Sequence, residues 1–352
     1  MTHPETTAES LNETATKSGH SAWQHSVHYW RNYLPADLQK RADALRQSRW
    51  ITSLGLPLHV DVYPQTNLDA PVVVFFHGGG GYARLFAGLA SAFHQQGFHV
   101  VMPDLIGQGF SAGDRSDFLF SQFIENGLDT VSWAKMEFTG PMILSGGSMG
   151  SMLAYGTQAA LIAQQQEPAQ AVLTSNLYNP ADINQMLGMT RLNPLLPLGL
   201  GNTFKNALGF LVKRVPNLRL PYQPLAKFSA MVDDPSGHFF HHYRRDPNPI
   251  RRVSIRYLHS LLNYHYPVEF NQNRYPVWVI NPVRDKMTSP SLTQQCFNQL
   301  AGPKKLIEWS CGHFALDNHY NKNFAELLRQ CLEQTDPATS PPRTAQAPKK
   351  ST

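Results

Sequence analysis

Short apolar runs of β type alternate with longer helical patterns along most of this chain, and that alternation limits the fold more than any other feature. Pro71–Phe76, Phe98–Met102, Met142–Leu144, Ala171–Leu173, Val277–Ile280 and Leu306–Trp309 read as strands buried on both faces, because they lack the polar alternation of a half-exposed strand. Trp50–Val62 reads as an earlier hairpin-like pair. Helical patterns fall at Ala83–Gln96, Phe118–Met136, Met149–Gln166, Pro290–Leu300 and Asn318–Glu333. The expected class is α/β, a mostly parallel central sheet flanked by helices. The stretch from Asn179 to Tyr275 breaks the rhythm. It is Pro- and Leu-rich and far exceeds the ~2 to 6 residues of an ordinary strand-to-helix connection, so it reads as an inserted helical cap. The expected organisation is a disordered segment 1–21, a first core part 22–178, the cap 179–275, a second core part 276–334 and a disordered tail 335–352.

Composition narrows the function. With 42% hydrophobic and 16% charged residues the chain can bury a large core. Its net charge of +5 is scattered, apart from the pairs Arg244-Arg245, Arg251-Arg252 and Lys349-Lys350. No basic stripe is present to track phosphates, which argues against a nucleic-acid partner. The first twenty residues carry Glu5, Glu9 and Glu13 and lack the apolar centre of a secretory signal, and no apolar run reaches the ~18 to 20 residues of a membrane span. Cys296, Cys311 and Cys331 show no metal-ligand spacing. A cytoplasmic protein is expected.

The chemistry-bearing residues lie where strands end. Gly146-Gly147-Ser148-Met149-Gly150 follows an apolar run and precedes a helical pattern. In that strand–turn–helix setting, small residues two before and two after the serine let the backbone turn tightly and present the Ser148 hydroxyl. His77-Gly78-Gly79-Gly80-Gly81 follows the strand Pro71–Phe76. Amides of Gly78 or Gly79, with that of Met149, suit an oxyanion hole, and His77 suits a loop anchor. A serine needs a base, and the base an acid to orient it. Asp285 follows Val277–Ile280 and His313 follows Leu306–Trp309, with Asp182 as a second candidate acid after Ala171–Leu173. No metal or organic cofactor is implied.

The order Ser148, Asp285, His313 resembles that of α/β-hydrolase-fold serine hydrolases, and the likeness extends from about Trp50 to Glu333. Asp104-Leu105-Ile106-Gly107-Gln108-Gly109-Phe110-Ser111 is similar to the Asp-x-x-Gly-x-Gly-x-Ser segment of the monoacylglycerol lipase and lysophospholipase-like branch. There the segment shapes the pocket entrance, which implies a structural, hydrogen-bonded role for Asp104. The elbow also resembles that of proline iminopeptidases, Gly-Gly-Ser-Trp-Gly-Ser, with Met149 in place of Trp. Their oxyanion loop His-Gly-Gly-Pro-Gly differs here at Gly80. The resemblance implies a serine hydrolase acting through an acyl-enzyme on carboxylic esters of a hydrophobic acyl group, such as a monoacylglycerol or lysophospholipid. A proline-iminopeptidase-like aminopeptidase and a non-catalytic binder with the same fold are the alternatives. Within the cap, Phe204, Ala207, Leu208 and Leu211 fall on one helical face. Phe204, Leu208 and Leu211 are therefore the expected substrate contacts, on a helix started by Asn202. The basic flanks of this helix suit peripheral contact with a membrane.

Overall fold

The computed structural model describes residues 26–335 except 196, 233–235 and 315–316. The expected disordered ends lie outside these residues, apart from Thr335, which closes the last helix. Eight strands form one sheet: β1 (Gln47–Ser53), β2 (Leu56–Tyr63), β3 (Val72–Phe76), β4 (His99–Pro103), β5 (Met142–Gly147), β6 (Ala171–Ser175), β9 (Val277–Pro282) and β10 (Lys304–Trp309). Their order is β1-β2-β4-β3-β5-β6-β9-β10, with β1 and β2 joined antiparallel at one edge and all strands from β4 to β10 parallel. The hairpin turns on Leu54 and Gly55, both at positive φ, a two-residue loop whose twist matches the strands it joins.

The central strands are buried at every position because both faces are covered. In β3, Val72, Val74 and Phe76 join the core on one side, while Val73 and Phe75 join the core on the other. One side packs against α3 (Phe120–Glu137), α4 (Met149–Ala163) and α10 (Pro290–Gln299). The other packs against α1 (Ala36–Leu45), α2 (Ala87–Gln95) and α11 (Asn318–Thr335).

Between β6 and β9 the chain leaves this sheet. It forms α5 (Ile183–Gly188), α6 (Gly201–Val212), α7 (Tyr222–Leu225), α8 (His238–Tyr243) and α9 (Ile255–Leu262), with a small antiparallel pair of β7 (Arg219–Pro221) and β8 (Arg252–Ser254). Helix α6 departs from expectation in two ways. It starts at Gly201 with Leu200 at the N-cap and no side-chain cap, so Asn202 does not cap it. Its inward face carries Gly201, Phe204, Leu208 and Val212, whereas Ala207 and Leu211 face outward, Leu211 being 43% exposed. Apolar residues occupy more than one face of this helix, so periodicity alone cannot choose the one that packs.

Candidate active site

Ser148 stands between β5 and α4 at φ 56° and ψ −125°, a conformation that side chains avoid and that sharp strand-to-helix turns impose. The flanking glycines are sterically required. A Cβ on Gly146 would lie 2.4 Å from the carbonyl oxygen of Gly150, and one on Gly150 would lie 2.0 Å from that of Phe76. Met149 opens α4, so its amide is one of the helix's unpaired N-terminal donors.

The next three strands each deliver one polar residue to the same edge. Asn176 follows β6 with φ 66°, and its amide donates to the Ile280 carbonyl at 2.9 Å. Asp285 follows β9 and His313 follows β10, and both are buried. His313 Nδ1 lies 2.6 Å from Asp285 Oδ2, to which Asn176 Nδ2 also donates at 3.3 Å. Amides of Met287 and Thr288 donate to Asp285 Oδ1 at 2.8 Å each. The carboxylate therefore has all its partners in place and faces the imidazole in one orientation. The other ring nitrogen, His313 Nε2, is buried without a hydrogen-bond partner among the described residues. Asp182 is occupied elsewhere: it caps α5, accepting from the amides of Asn184 and Gln185. Asn176 was not singled out in the sequence, where a lone asparagine after a strand carries no signal.

The glycine loop after β3 meets the elbow. A Cβ on Gly78 would lie 3.5 Å from Ser148 Cβ and 3.4 Å from the ring of Phe314, the neighbour of His313. His77 is buried, with Nδ1 3.0 Å from the Gly78 carbonyl and Nε2 accepting from the Leu105 amide at 3.3 Å. One nitrogen donates and the other accepts, the pattern of a neutral ring, and burial lowers its pKa accordingly. His77 thus ties the glycine loop to the Asp104–Ser111 loop. Asp104 is fully buried and accepts from the amides of Ala83 and Phe110, as a structural loop residue should.

Ser148, Met149 and Gly78 to Gly81 line a cavity of about 200 Å³ roofed by the excursion between β6 and β9. Its wall holds six of the chain's ten methionines (Met149, Met152, Met186, Met189, Met231 and Met287) and no charged side chain among the described residues. Of the expected substrate contacts, Phe204 lines it. Leu208 is buried behind the wall, and Leu211 lies on the outer face. The roof is fastened to the site. Tyr243 donates to the Gly80 carbonyl at 2.8 Å, the Tyr257 hydroxyl contacts Met149 Sδ at 3.3 Å, and the Phe314 amide donates to the Met231 carbonyl at 2.9 Å.

Comparison with known proteins agrees with this architecture. The model of the family described as "Serine aminopeptidase, S33" (Hydrolase_4) matches residues 69–313. No curated protein matches in sequence. Among solved structures, the monoacylglycerol lipase of Paleococcus ferrophilus superposes with a TM-score of 0.57 at 18% identity, covering 74% of this chain and 94% of that one. A soluble variant of monoglyceride lipase from Saccharomyces cerevisiae, in complex with a substrate analogue, gives 0.58 at 15% identity, covering 82% and 96%. At these identities the likeness concerns the fold.

Proposed function

The chain belongs to the serine aminopeptidase S33 family of α/β-fold serine hydrolases, and on that premise we propose that it hydrolyses carboxylic esters with a neutral, mainly apolar acyl group. In this reading Ser148 attacks the ester carbonyl and His313 takes its proton through Nε2. Asp285 holds the imidazole, and amides of Gly78 or Gly79 and of Met149 receive the oxyanion. His313 then protonates the leaving alcohol, and water releases the acid. The observation that carries the proposal is the buried Asp285–His313 pair at 2.6 Å, whose outward nitrogen is unengaged among the described residues, at the sheet edge that also bears the Ser148 elbow. Covalent labelling of the protein by a fluorophosphonate, abolished in Ser148→Ala, tests the nucleophile; turnover of 4-nitrophenyl esters tests the reaction.

The cavity favours esters over aminopeptidase substrates. An aminopeptidase must hold a cationic amine, and burying an ammonium beside no carboxylate is costly. None of the described lining residues is charged. A cavity of about 150 Å³ can hold benzene, so about 200 Å³ suits one short or medium acyl chain rather than a diacyl lipid.

The roof supports a second element of the proposal, peripheral contact with an anionic lipid surface. Residues 183–232 contain Arg191, Lys205, Lys213, Arg214, Arg219 and Lys227 and no Asp or Glu. Within them Leu198, Phe210, Leu211, Val215 and Leu218 are all more than 40% exposed. Arg219 is paired with Asp114 at 2.5 Å, and exposed apolar side chains among the remaining cations match the requirements of interfacial docking. No helix among the described residues is long and apolar enough to cross a membrane.

A further inference from the structure

Five side-chain hydroxyls line the cavity, those of Ser148, Thr190, Tyr222, Tyr243 and Tyr257. Three are already engaged: Thr190 donates to the Leu187 carbonyl, Tyr243 to the Gly80 carbonyl, and Tyr257 contacts Met149 Sδ. Ser148 is the proposed nucleophile. The Tyr222 hydroxyl is left over. It is buried and makes no hydrogen bond among the described residues. The Tyr243 hydroxyl and the Gln223 side chain both stand beside it and offset part of the rise in its pKa, but neither meets it in hydrogen-bond geometry. Burial raises the pKa of Tyr222, so the group keeps its proton at neutral pH and remains a donor.

The position of this hydroxyl is specific. Gly80 has φ 71°, and a Cβ there would lie 1.6 Å from Tyr222 Oη. The third glycine of the loop is thus the residue that lets a tyrosine from the roof reach in. Gly80 is two residues beyond Gly78, whose own Cβ position is 3.5 Å from Ser148 Cβ, and Tyr222, both glycines and Ser148 line the same cavity. A buried donor with no acceptor in an otherwise apolar cavity carries a desolvation cost that a substrate oxygen can remove.

Building on the ester reading above, we infer that Tyr222 is a specificity-determining residue. Its hydroxyl donates to an oxygen within the acyl group of the substrate, and the substrate class is esters whose otherwise apolar acyl chain carries an ether, keto or hydroxyl oxygen close to the carbonyl. Tyr243 is a positioning residue for the glycine loop, whose Gly80 carbonyl it holds at 2.8 Å, and it takes no part in reading the acyl oxygen.

The test is an oxygen walk with isosteric 4-nitrophenyl esters: butanoate against methoxyacetate, pentanoate against 3-methoxypropanoate, and hexanoate against 4-methoxybutanoate. Each kcat/KM is normalised to the ester's rate with hydroxide. The wild type is expected to favour one ether position over its alkanoate by about tenfold, and Tyr222→Phe to abolish that ratio, the effect of one hydrogen bond. Tyr243→Phe is expected to lower ether and alkanoate turnover together and leave the ratio in place. Melting temperatures establish that both variants fold. A wild type with no ether preference at any position overturns the inference while leaving the ester reading intact, and so does a ratio unchanged in Tyr222→Phe. If no ester in the series is turned over, the ester reading itself fails and this inference falls with it.

Discussion

The amide of Phe314 donates to the carbonyl of Met231 at 2.9 Å, so the residue after His313 is hydrogen-bonded to the segment that roofs the cavity. Val232 and Phe314 also form an isolated parallel bridge. The loop that carries the candidate base is therefore held from outside the sheet as well as by its own strand. Its geometry depends on the roof being in place.

Ser148→Ala and His313→Ala should each remove nearly all esterase turnover, by about 10⁴ or more in kcat, because members of such a unit fail together. Both should melt normally. Steady-state kinetics on the best 4-nitrophenyl ester decide it, and more than about a tenth of wild-type activity in either variant would return that residue to a structural role.

Asp285→Asn should lower kcat by roughly 10³ to 10⁴, since an amide in this position favours the wrong imidazole tautomer. Asp182→Asn should instead leave kcat within a few-fold and cost about 1 kcal/mol or less of stability, because its carboxylate serves as a helix cap. Kinetics and urea melts of the two variants side by side check the ranking; the reverse order would move the acid to Asp182.

The His59 cluster predicts how stability varies with pH. His59 lies 2.9 Å from Asp104 and 3.3 Å from Asp61, which also binds Arg84 at 2.9 Å. Burial alone would lower the pKa of His59, but the charge of Asp61 and the hydrogen bonds to both carboxylates raise it. A raised histidine contributes stability that is fully present below its unfolded value of ~6.5 and is lost as pH climbs through the folded value. Thermal melts should therefore show a loss of stability on the alkaline side of ~6.5 in the wild type and a flatter profile in His59→Asn. Parallel profiles would contradict the assignment.

Phe204→Ser should reduce kcat/KM on a hexanoyl ester several-fold, because Phe204 lines the cavity. Phe210→Ser with Leu211→Ser should instead weaken cosedimentation with anionic vesicles several-fold without lowering Tm, since both side chains are already in solvent. Equal vesicle binding before and after the double change would remove the lipid-contact element of the proposal.

The sheet was legible in the sequence because β3 to β6 and β9 are short, largely apolar runs buried on both sides. Leu306–Trp309, expected to be buried likewise, is only half-buried at the sheet's edge. The motif residues could be placed once the strand ends were known. Helix α6 was found with Phe204 and Leu208 inward as expected, but Ala207 and Leu211 lie on the other side, since Ala207, Phe210 and Leu211 make its outer face as apolar as its inner one. The tyrosines that reach the glycine loop were invisible for another reason. Tyr222 and Tyr243 come from positions 142 or more residues beyond Gly80, and only the folded excursion brings them there. Asn176 depends likewise on a positive φ and a carboxylate supplied by a distant strand.

The methionines of the cavity wall carry a liability. Thioethers oxidise to sulfoxides, which are polar and stiffer, and six of the ten in this chain face one apolar space. Peroxide exposure would convert that wall from a deformable hydrocarbon-like lining to one studded with dipoles, and a bound ligand would shield it. The same side chains that let the cavity adapt to differently shaped acyl groups thus make its capacity a record of the oxidative history of the molecule.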